Sequence, residues 1–139
     1  MRRHCATVAL EGALVAASAM IYFNGTAAAE QYTRTVSPGR TAQLIVYKAW
    51  DPVHCGSMFA VAKLAVPPQH GKMSHHTTPA TIPVSRFGGR DHCYGQPTTG
   101  FAIMYTSSPG YRGTDSFTLN VDWPAITRHS VDTFAIIVQ

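Results

Sequence analysis

Charged side chains are scarce in this chain: Asp, Glu, Lys and Arg make up 13% of its 139 residues. A surface so poor in charge must be covered largely by Ser, Thr, Gly and Pro, which suits a β-sandwich better than a helical bundle with charged outer faces. The seven basic residues from Arg34 to Arg90 stand singly, with no run and no aromatic interleaving. Nucleic-acid binders carry a clustered basic stripe, so no nucleic-acid partner is expected. Helical periodicity of useful length is missing. So are the common catalytic frames: there is no G-x-S-x-G elbow, no H-E-x-x-H and no recognisable pair of carboxylates. Ser74 beside His75 and Ser130 beside His129 are neighbours only in sequence; neighbours on a strand face apart, and a triad is assembled in space. Catalysis is not expected, and no cofactor is implied.

Long apolar runs are also few, and the main one lies at the amino terminus. Arg2, Arg3 and His4 precede a mostly apolar stretch from Ala6 to Phe23, and Thr26-Ala-Ala-Ala29 supplies small residues before Glu30. This is the three-part layout of a secretory signal peptide. The expected division is a signal peptide over 1–29 and one domain over 30–139, secreted or periplasmic, with no stable membrane span after cleavage. An uncleaved anchor is the competing reading, because the stretch is near bilayer length; Glu11 and Asn24-Gly-Thr26 speak against it. Cleavage leaves 110 residues, enough for one sandwich. The net charge falls from +4 to +3, since Arg2 and Arg3 leave together with Glu11.

Cysteine is limited to three residues, and removing Cys5 leaves Cys55 and Cys93. A pair in an exported chain is most simply a structural disulfide, here between two connections or between a strand start and a loop. Turn signals recur about every ten residues, which predicts an all-β fold of about seven strands. The expected strands are Tyr32–Val36, Thr41–Trp50, Met58–Val66, a short one after Pro67-Pro68, Thr81–Phe87, Phe101–Thr106, Asp115–Val121 and Ser130–Val138. Thr41–Trp50 is apolar on both parities, which suggests cover on both faces. Pro83 would make Thr81–Phe87 an edge strand. Residues 88–100 read as a loop carrying Cys93.

The most informative segment is Tyr105-Thr-Ser-Ser-Pro-Gly-Tyr-Arg-Gly-Thr-Asp-Ser-Phe-Thr-Leu-Asn-Val121. A Pro/Gly turn feeds a strict alternation in which Phe117, Leu119 and Val121 share one face. Asp115 is placed to accept hydrogen bonds from the turn's own amides. The segment resembles the penultimate strand of bacterial secreted immunoglobulin-like and cadherin-like domains, whose form is Y-x-P-x-x-G-Y-x-G-x-D-S-F-x-Y-x-V. Pro67 to Ser74 resembles their P-x-x-G hairpin more loosely. The resemblance implies a single immunoglobulin-like antiparallel β-sandwich. It would also make Asp115 a calcium ligand, but the six carboxylates after residue 29 form no D-x-D box, and calcium needs six to eight oxygens.

Three sets of residues are candidate sites. His70, Met73, His75 and His76 combine imidazole and thioether, a set suited to copper or zinc; an exposed polar loop is the plain alternative. His54-Cys55 and His92-Cys93 repeat one dipeptide, but adjacent residues on an extended chain diverge, and oxidation removes the thiolates. Trp50, Trp123 and Tyr111 are possible ligand contacts, with packing at the sandwich rim as the alternative for the tryptophans. The leading expectation is an exported binding or structural module that contacts a protein or glycan in the cell envelope. The alternative is a periplasmic metal-binding protein using the His70–His76 loop.

Overall fold

The computed structural model describes residues 28–84 and 89–139, so residues 1–27 of the expected signal peptide and residues 85–88 lie outside the described part, while Ala28 and Ala29, its expected last two residues, begin the first strand. In chain order the strands are β1 (Ala28–Val36), β2 (Thr41–Tyr47), β3 (Ala49–Trp50), β4 (Ser57–Met58), β5 (Val61–Val66), β6 (Gly71–Thr81), β7 (Pro97–Ser107), β8 (Gly113–Trp123) and β9 (Arg128–Val138). One 3-10 turn, Pro124–Ile126, joins β8 to β9. The protein is an all-β sandwich. A four-stranded layer, β1-β9-β8-β5, packs on a three-stranded layer, β2-β7-β6, and β3 with β4 forms a small ribbon.

The core follows from period two. On β8 the buried residues are Asp115, Phe117, Leu119, Val121 and Trp123; on β9 they are Ser130, Asp132, Phe134, Ile136 and Val138. Directly opposed residues share a face, and Phe117 lies opposite Phe134 with the rings stacked 4.8 Å apart. The other layer contributes Leu44, Tyr47, Ile103 and Tyr105, with Phe101 packed against them.

Four expectations need correction. First, the strands are not all antiparallel, because β1 pairs parallel with β9, Glu30 opposite Asp132 and Val36 opposite Val138. The chain changes layers at Ser37-Pro-Gly39-Arg40, so β2 cannot pair with β1 as a hairpin would. Second, the double apolar parity of 41–50 has a different cause. The ladder with β7 slips between Gln43 and Ile45, so Leu44 is an extra residue and the inward set moves from even to odd positions. Third, the short strand after Pro67-Pro68 is an eleven-residue strand that pairs with β7 throughout. Its polar composition hides it, and Pro79 is tolerated because β6 is a layer edge. Of the expected strand Thr81–Phe87, Thr81 is instead the last residue of β6 and 82–84 belong to no strand, while the remainder lies outside the described residues. The chain leaves the sheet after Thr81, and Ile82 is held instead by main-chain bonds to Gln96 and Gly95. Fourth, β7 begins at Pro97, four residues earlier than the expected strand start.

Candidate binding surfaces

The two cysteines are bonded to each other across 38 positions of sequence. They tie the turn between β3 and β4 to the turn before β7, the first of the two expected placements. The first turn is built on Asp51, whose carboxylate accepts from the Val53 amide and the His54 ring, both at 2.8 Å. Those bonds, His54 foremost, hold Asp51 below the usual carboxylate range. His54 is thus turned to Asp51. His92 differs from the sequence reading: its Nε2 lies 3.5 Å from the Cys93 sulfur, because residues 91–95 form a turn and not an extended strand. Cys55, His92 and Cys93 form a compact group, but both sulfurs are consumed by the disulfide.

Asp115 has a structural task. Its carboxylate accepts from the Tyr105 hydroxyl at 2.8 Å, the Gln69 and His70 amides at 3.0 and 2.9 Å, and the Ser116 amide at 2.8 Å. The expected donors were the amides of its own turn, whereas two of the actual ones belong to the β5–β6 connection. Burial alone would raise this carboxyl; the four donors outweigh it and hold it low. Burial and the same bond push the Tyr105 phenol up.

The His70–His76 residues are spread out. His70 stacks flat on Tyr111, 4.1 Å between ring centres. Met73 packs against the core, His75 tilts over Phe101, and His76, next along β6, faces the other way. His70, His75 and His76 do not gather around one point among the described residues. Tyr111 also anchors its turn through a 2.6 Å bond from its hydroxyl to the Thr114 carbonyl. It therefore lies at the opposite end of β8 from Trp123.

Trp50 and Trp123, by contrast, meet in one cleft of about 270 Å³ at the sandwich end. The starts of β1 and β9 and the ends of β2 and β8 converge there. Trp123 is buried and meets Tyr47 edge-on; Trp50 is half-buried. Arg128 lies over the Trp123 ring and 3.8 Å from Glu30. Beneath them, Tyr47 donates to Asp132 Oδ2 at 2.5 Å, and burial with that bond raises the Tyr47 phenol far above its ordinary value. Asp132 Oδ1 and Ser130 Oγ are buried with no hydrogen-bond partner among the described residues. The sequence reading passed over both. The parity of Phe134, Ile136 and Val138 would have placed them on the inner face.

A second surface is the β5 edge of the four-stranded layer. Leu64 lies opposite the fully buried Leu119, so it faces inward, yet it is 43% exposed. Three strands do not cover four, and β5 overhangs. Val66 is 53% exposed and Phe59, just before the strand, 63%.

No helix of the described residues is long and apolar enough to cross a membrane. No protein-family model matches the chain, and no curated protein sequence matches it. Among solved structures, that of Amebosin, determined in solution, is similar with a TM-score of 0.42 at 13% identity; the match covers 83% of this chain and 100% of that one.

Proposed function

We propose that the chain is an exported, single-domain immunoglobulin-like module that works by holding a protein partner in the cell envelope rather than by catalysis. The observation that carries this reading is the β5 edge with its exposed apolar side chains. Sheet edges are commonly blunted by charge, proline or a covering loop. β5 has Lys63 as its single charged residue. An extended segment of a partner laid beside β5 would pair with its outward main-chain groups and cover Leu64, Val66 and Phe59. Larger exposed apolar patches mark such contacts. The amino-terminal leader pattern and the disulfide agree with an oxidising compartment outside the cytosol.

The test is a pull-down from the producing cell's envelope with oxidised protein, comparing the unmodified sequence with Leu64→Lys. One protein retained by the former and lost from the latter is the expected result. Equal recovery by both, or no retained protein, rejects the edge as the contact. Sedimentation showing a dimer that Leu64→Lys abolishes would assign the edge to a second copy and also reject the reading.

A further inference from the structure

We infer that the cleft between Trp50 and Trp123 binds a small neutral polyol, the size of one sugar ring. Its floor is the reason. Ser130 and Asp132 are each about 1% exposed and line the cleft, and Ser130 Oγ and Asp132 Oδ1 lack a protein partner among the described residues. Buried polar atoms in folded proteins are nearly always paired, and each orphan calls for a reason. Asp132 Oδ2 is already committed to the Tyr47 hydroxyl. The remaining carboxylate oxygen can only accept, and the serine oxygen can accept or donate. Both atoms are closed to water in this structure, so an occupant must displace the side chains above them; a pair of adjacent hydroxyls would then supply donors to both.

The walls select among donors. Glu30 and Asp132 are matched in the lining by Lys48 and Arg128. A lining with two charges of each sign gives no net attraction to an ion, whereas a hydroxyl can donate to the carboxylates and accept from the cations. The half-buried Trp50 offers an apolar plane for the C–H face of such a ring. The volume of about 270 Å³ falls just below the range of drug-sized sites, which limits the occupant to a single ring. The cleft shares no lining residue with β5, so this inference stands or falls apart from the edge contact.

The experiment is a tryptophan-fluorescence titration of the oxidised protein with methyl glycosides of glucose, galactose, mannose and N-acetylglucosamine, and with choline as the cationic comparison. Saturation by at least one glycoside with a Kd on the order of 1 mM is expected, the affinity reached by small ligands of modest efficiency. Trp50→Ala and Asp132→Asn should each weaken it about tenfold, with melting curves confirming the fold, and Leu64→Lys should leave it unchanged. Trp50 is half-buried, which keeps one variant informative if Asp132→Asn does not fold. No saturation by any glycoside overturns the inference. So does saturation by choline alone, or glycoside binding indifferent to a folded Trp50→Ala.

Discussion

Asp115 joins three parts of the chain through one carboxylate. It receives a side chain from β7, two amides from the β5–β6 connection and the amide of its own neighbour. Its folded state holds the proton less readily than the unfolded chain does, so it stabilises the fold fully above the unfolded value near 4. That contribution is lost as pH falls through the folded value. Denaturant titrations from pH 6 to pH 2 should therefore show a steeper acid loss in the unmodified protein than in Asp115→Asn, and Asp115→Ala should cost about 3 kcal/mol at neutral pH because it strands buried donors. Phe117 is the apolar counterpart, fully buried between the rings of Tyr105 and Phe134. Phe117→Ala should remove about 3–5 kcal/mol in a urea titration through the cavity it leaves. Phe117 was legible from parity alone. Asp115 was legible as a turn-associated acceptor but its partners were not, since Gln69 and His70 lie 46 and 45 residues away and no local pattern encodes such a meeting.

Among the elements, β6 shows how a strand escapes detection. Strands with one apolar face announce themselves by alternation, as β8 does. Edge strands facing water carry little apolar pattern, and Ser74 to Thr78 reads as a loop. What holds β6 is its ladder with β7 and the close approach at its start. A Cβ added at Gly71 would lie 2.5 Å from the Tyr105 ring and 2.6 Å from the Thr106 carbonyl oxygen. Backbone cannot yield as a flexible side-chain end can, so Gly71→Ala should cost about 1–3 kcal/mol by overpacking and lower the melting temperature visibly. Cys55–Cys93 acts on two elements that have only a two-residue ribbon and short turns around them. Closing a 38-position loop removes unfolded-state entropy worth about 4 kcal/mol. Melting with and without a reducing dithiol should differ accordingly; an unchanged midpoint would mean that the loops hold without it. The pairing could be inferred from the cysteine count, whereas the placing of His92 against the sulfur required the turn geometry.

For the molecule as a whole, the all-β character and the rough position of most strands were readable, but the breaks that divide Thr41–Trp50 and Met58–Val66 into two strands each, the direction of β1 and the sharing of strands between layers were not. Alternation reports which residues face inward; it does not report which neighbour they face. The outcome here is that β9 sits between β1 and β8. A chain ending at Trp123 should give no native circular-dichroism spectrum, because two strands of that layer would lose their partner. Refolding of the intact chain should be slow for its size, in the millisecond-to-second range in stopped-flow fluorescence, as expected of folds dominated by distant pairings. This arrangement also fixes the order of events at birth. The keystone of the larger layer is made after the strands it joins, so during synthesis β1 and β8 have no shared partner until β9 arrives. Only then can the larger layer close.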